Sequence, residues 1–216
     1  MRLLIYSVVF FHLFPLLVFL VYSKYLSFSK INLLITSLII SSFLADFMGL
    51  WIANSGMRTS PVSNAYQITE RTICIFILTS VYPIRPKHKI LLIAACIILS
   101  LYQIYFCLAS RFLIQNDYIK ILSSVYLCLF ALHALFVLIS NTSMDSLKMD
   151  IHVWPILAIF FFVATMLIPE MITNIDDSFD SPKLFNKARL GLTLGSNVIR
   201  DSLFALFFFL SKKNEL

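Results

Sequence analysis

Seven apolar stretches, each long enough to cross a bilayer, take up almost the whole of this 216-residue chain. A hydrocarbon core needs about 20 apolar residues per helix. At that depth every backbone N–H and C=O must be paired within its own segment, which makes the helix the repeating element. The stretches fall at about 3–22, 32–53, 66–84, 90–109, 119–140, 152–173 and 188–211. The expected fold is all-α: a polytopic membrane protein, a seven-transmembrane-helix bundle forming a single transmembrane domain over 1–216. Seven helices use roughly 140 residues at that length, so no folded extramembrane domain is expected.

Composition agrees with a lipid environment. The chain is 60% hydrophobic and 13% charged, where a soluble domain carries about 25% charged residues. The net charge of +6 does not point to nucleic acid, because Lys and Arg gather at span ends, where they meet anionic headgroups. Cys74, Cys96, Cys107 and Cys128 all fall inside spans, and no CxxC pair suggests a disulfide framework or a zinc knuckle. The N-terminal run is longer than the 7–15-residue core of a signal peptide and no A-x-A site follows it, so it reads as the first span.

Basic residues near span ends set orientation. One side carries Lys24, Lys30, Arg85, Lys87, Lys89, Lys148, Lys212 and Lys213; the other carries Arg2, Arg58, Arg111, Lys120, Lys183, Lys187 and Arg189. The dense hairpin from Arg85 to Lys89 and the Lys212-Lys213 pair decide this near tie. They place the N-terminus outside and the C-terminus inside, with the acidic loop of Asp176, Asp177 and Asp180 outside. The expected location is a cell membrane, the bacterial inner membrane.

Polar residues within the spans are the functional candidates, since a charge at mid-membrane costs about 2.5–3.5 kcal/mol on insertion scales. Gln67, Glu70, Arg71 and Cys74 recur at i, i+3, i+4 and i+7, so they share one helix face. Thr193, Asn197 and either Arg200 or Asp201 do the same on the last span, and Ser42, Asp46, Gly49 and Ala53 make a small-and-polar stripe on the second. Gln103 and Glu170 lie toward the outer ends of the fourth and sixth spans. Adjacent helical residues point about 100° apart, so Arg200 needs a partner beyond Asp201, with Asp46 and Glu70 as candidates. Under the expected topology these groups gather on the outer side as a ligand-binding or polar-core set. Gly191-x-x-x-Gly195 is a small-xxx-small motif, read as helix packing, with an internal partner preferred.

Several chemistries are excluded or unsupported. A retinal pigment needs a lysine in the middle of the last helix, but Lys187 and Lys212 flank it. His12, His88, His133 and His152 have no metal-ligand spacing, and a lone His12 reads as a hydrogen-bonded packing residue. No nucleophile elbow, phosphate loop or HExxH motif occurs. No internal repeat or broken helix pair suggests a transporter. No catalytic residue, metal ligand or cofactor is assigned.

Ser42-Phe-Leu-Ala-Asp46, then Asn54-Ser55-Gly56, then Asn64-x-Tyr66-x-x-x-Glu70, resembles a pattern in small uncharacterised bacterial seven-helix membrane proteins. Asn197 and the aromatic run before Lys212-Lys213 are also similar. The resemblance covers about a third of the chain. It implies a seven-helix bundle with Asp46, Asn64, Tyr66, Glu70 and Asn197 as polar positions, and no activity.

The leading expectation is a membrane-embedded sensor or ligand-binding module. Its outward-facing polar pocket would take a small or amphiphilic molecule and signal to a cytoplasmic or membrane protein partner. Membrane lipids are the other expected partners; nucleic acid is not. The alternatives are an intramembrane enzyme acting on a lipid or isoprenoid through Asp46, Glu70 and Glu170, and a structural subunit of a membrane complex.

Overall fold

The computed structural model describes residues 2–22, 29–81, 86–110, 117–141, 152–173 and 182–214, and the regular structure among them is all α-helix. The first span is two helices, α1 (Arg2–Phe11) and α2 (Leu13–Tyr22), parted at His12. Then come α3 (Lys30–Asn54), α4 (Ser60–Val81), α5 (Pro86–Ala109), α6 (Asp117–Asn141), α7 (Val153–Thr173) and α8 (Pro182–Asn214). The basic residue Arg85 and the acidic loop with Asp176, Asp177 and Asp180 lie outside the described residues.

Proline explains the main differences from the expected spans. Pro61 sits in the first turn of α4, and Pro86 and Pro182 open α5 and α8. The first turn of a helix uses no intrahelical N–H, so proline there is harmless and pre-sets φ. α4 therefore starts six residues before Tyr66, and α8 six before Ala188. Pro15 lies inside the first span and acts differently. It has no N–H for the carbonyl of Phe11 and its ring crowds that group, and the helix is interrupted at His12. Gly56, at φ 73°, makes the left-handed turn that closes α3, a conformation glycine adopts without strain.

Among the described residues four helices are long and apolar enough to cross a membrane, Lys30–Asn54, Lys89–Ala109, Tyr118–Ser140 and Gly191–Ser211. Val9–Tyr22 and Val153–Ile168 are shorter apolar helices. α4 is not in this set because Asn64, Gln67, Glu70 and Arg71 fill its first half.

α4 packs on α3, α5, α6 and α7, while α8 packs on α1, α2, α3 and α7. Chain direction alternates along the sequence, so the starts of α1, α4 and α8 and the end of α3 share one end of the bundle. The core fills the opposite end. There Ile35, Leu38 and Ile39 of α3, Ile77 and Leu78 of α4, and Phe204 and Phe208 of α8 are all fully buried. Ala131 and Ala134 of α6 lie against the same cluster as Ile156 and Ile159 of α7. Small residues let these helices approach closely, which is how packing stabilises a bundle without help from water.

Candidate functional site

A continuous polar network crosses the bundle where α1 is interrupted. His12, wholly buried, bridges two carboxylates: its Nδ1 lies 2.5 Å from Asp201 Oδ2 and its Nε2 lies 3.0 Å from Asp46 Oδ2. Arg200 Nη2 is farther from Nδ1, at 3.4 Å, so the shorter contact sets the role of that nitrogen. Ionised carboxylates only accept, so with both ionised the ring donates from both nitrogens and is an imidazolium.

Arg200 continues the network. Its Nε donates to Asp201 Oδ1 at 3.1 Å and its Nη1 to Glu70 Oε1 at 3.3 Å. The guanidinium also lies 4.5 Å from the centre of the Phe162 ring on α7, a cation–π contact that covers its face. Tyr66 and Glu70 stand one turn apart on α4, and the Tyr66 hydroxyl donates to Glu70 Oε1 at 2.5 Å. Ser42 Oγ of α3 lies 2.7 Å from the Tyr66 hydroxyl. The network thus ties the helix break to α3, α4 and α8. Arginine suits the centre because its rigid fork reaches two carboxylates at once, which a lysine point charge does not.

Two adjoining chambers open onto this network. The inner one has a volume of about 190 Å³ and is lined by His12, Ser42, Glu70 and, from across the bundle, Lys120 of α6. The outer one, about 320 Å³, is walled partly by apolar Val9, Leu50, Val62 and Leu194. Asp46, Ser63, Tyr66, Thr193 and Asn197 line both, so the two adjoin. Asp46 is the gatepost between them: its side chain is 41% exposed, against 1% for Asp201.

Gln67 also lines the inner chamber, and the remaining residues expected at the site are dispersed. Gln103 Nε2 of α5 donates to Gln67 Oε1 at 3.1 Å, and Gln67 Nε2 to Ser63 Oγ at 3.5 Å, forming a second strand of polar contacts on α4. Arg71 lines a small void of about 50 Å³ between α4, α6 and α7, beside Lys120, Ser123 and Ser124. Asn64 is buried but lines neither chamber. Glu170 falls in α7, and its side chain lies outside the described residues. Of the two partners proposed for Arg200, Glu70 is the one within reach; Asp46 pairs with His12 instead.

His12, expected as a hydrogen-bonded packing residue, is buried and hydrogen-bonded, and it links Asp46 to Asp201. The signal for it was Pro15 three residues on, which opens the helix at that depth. Gly191 and Gly195 are both exposed, and among the described residues a Cβ added to either meets nothing within 4 Å.

Among the described residues no group of three or more His, Cys, Asp and Glu side chains is arranged to hold a metal ion. The arrangement sets a partly exposed carboxylate, Asp46, beside a hydrogen-bonded network that joins α3, α4 and α8. Comparison with protein-family models, with curated proteins and with solved structures gives no match for this chain.

Proposed function

We propose that this protein is a membrane-embedded ligand-binding sensor: a seven-span bundle with its N-terminus outside the cytoplasmic membrane and its C-terminus inside. The observation that carries the reading is the pair of adjoining chambers ending on Asp46, whose other contact is His12 at the break in the first span. A ligand that competes for Asp46 loosens the hold of His12 on α3. Asp201 and Arg200 then pass that change to α8 and α4, because a packed bundle shifts between discrete arrangements. The far end of α8, with Lys212 and Lys213, carries the movement to a cytoplasmic partner. A ligand has this effect only in proportion to its preference for one arrangement over the other.

Native mass spectrometry of protein extracted from its own membrane tests the pocket. A bound small-molecule mass is expected on the unaltered chain and not on Leu50→Trp, which fills the outer chamber. Identical spectra for the two proteins would overturn the reading.

The break at His12 also favours a second reading, transport, because interrupted helices at membrane depth line ion and substrate sites in transporters. Flux through reconstituted vesicles that His12→Phe abolishes would favour transport over sensing.

A further inference from the structure

The outer chamber points to the chemistry of what it takes. Among the described residues that line it, Asp46 is the only charged one. The charged neighbours of Asp46 lie on its inner side: His12, Glu70 and Lys120 line the inner chamber but not the outer one, and Arg200 and Asp201 line neither. Within the network His12 and Arg200, as cations, face the carboxylates of Asp46, Glu70 and Asp201, and Lys120 lies at the same inner wall. Asp201 keeps both oxygens occupied, by His12 and Arg200. Asp46 differs, since its one side-chain contact uses Oδ2 and the carboxylate is 41% exposed. Beyond it are neutral acceptors and donors, Ser63, Tyr66, Thr193 and Asn197, and then an apolar wall.

We infer that the chamber binds an amphiphilic cation: an ammonium head on Asp46, with hydrogen bonds to the hydroxyl and amide groups around it, and an aliphatic body against Val9, Leu50, Val62 and Leu194. This rests on the ligand-binding reading above and names its ligand class. A carboxylate that has left bulk water prefers a charged donor, because charge-assisted hydrogen bonds are about twice as strong as neutral ones. The wall beyond rewards a body that is itself apolar.

Three probes of one length test this on the full chain in lipid nanodiscs: hexylammonium, hexanol and hexanoate. Hexylammonium is expected to bind about tenfold more tightly than hexanol, equivalent to roughly 1.4 kcal/mol, with hexanoate weakest. Asp46→Asn is expected to erase the difference between hexylammonium and hexanol while hexanol binding persists. Should Asp46→Asn fail to fold, Leu50→Trp serves in its place, and hexylammonium binding must fall with it. Equal binding of hexylammonium and hexanol, or hexylammonium binding unchanged in Asp46→Asn, overturns the cation assignment yet leaves a pocket in place. If none of the probes binds, the cation assignment falls; the pocket reading falls only if the native mass spectra also match those of Leu50→Trp. The ammonium has two sources, a free amine or the headgroup of an aminophospholipid. Discs with and without phosphatidylethanolamine separate them: competition by that lipid identifies the headgroup, and its absence a free amine.

Discussion

The two ends of the bundle hold together by different physics. At one end, Ile35, Leu38, Ile77, Phe204 and Phe208 are buried to the last atom against one another. At the other, the helices are held apart around chambers of about 190 and 320 Å³ and joined by hydrogen bonds and ion pairs. Dispersion is non-directional and sums over many weak contacts, so the packed end tolerates a change of shape better than a loss of volume. Charge pairing is directional and rests on a few atoms, so the hollow end tolerates a loss of volume better than a loss of charge. α3, α4 and α8 run through both ends, and a single helix therefore shows both kinds of sensitivity.

The largest test of this contrast is Arg200→Met. Methionine has a similar reach, so the volume is largely kept while Asp201 and Glu70 lose their shared cation. Removing one partner of a buried pair costs about 3–5 kcal/mol, measured by denaturant or steric-trap unfolding in bicelles. Arg200→Lys is expected to recover only part of that, because an ammonium cannot donate to both carboxylates in the guanidinium geometry. A cost below about 1 kcal/mol for Arg200→Met, the size of an exposed ion pair, would show the network to be incidental to stability.

Next in size is Leu38→Ala at the packed end, where the side chain is fully buried. Truncations of this kind cost about 2–5 kcal/mol in cores that cannot collapse onto the void. His12→Phe follows, at about 2 kcal/mol, the scale of a hydrogen bond to a charged group. It keeps a ring in place but removes both bridges. The loss is smaller than for Arg200 because Asp201 retains the Arg200 Nε–H and Asp46 is half open to the chamber. If His12→Phe proved costlier than Arg200→Met, the centre of the network would lie at the helix break and not on α8.

How much of this was legible beforehand differs between the two ends. Apolar periodicity and length marked the helices, and all-α character followed from them. Spacing on single helices also marked Glu70 and Arg200, because a charge at membrane depth demands a partner whatever the fold. The pairing itself was not readable. Asp46 and Glu70 were equally plausible partners for Arg200, and only the crossing of α4 with α8 places one within 3.3 Å. His12 was missed because its partners lie 34 and 189 residues away, a separation no local pattern encodes. Pro61 and Pro182 misled the boundaries since a proline in a first turn and a proline in a loop look the same in a sequence. Gly191 and Gly195 show a limit of another kind: the motif states that close approach is allowed, and among the described residues no neighbour lies within 4 Å of a Cβ added there.

The smallest expected effect separates the two ends most cleanly. Leu50→Ala makes the same chemical change as Leu38→Ala, on the same helix three turns away, but at a position that lines the outer chamber. The penalty for a truncation grows with the cavity it creates. At Leu38 the void is new and has no other occupant. At Leu50 the space is continuous with a chamber already about 320 Å³ in volume, so little new surface loses contact. The expected cost is within about 0.5 kcal/mol, as for substitutions away from packed positions. The same unfolding assay measures the difference between the two truncations, from which the helix-propensity and membrane terms common to both cancel. A difference near zero would mean that the chamber is filled in the folded state by something that packs on Leu50 as tightly as protein does. Adding hexylammonium to the assay then checks that directly, since an occupant of that kind raises the cost of Leu50→Ala and leaves Leu38→Ala where it was.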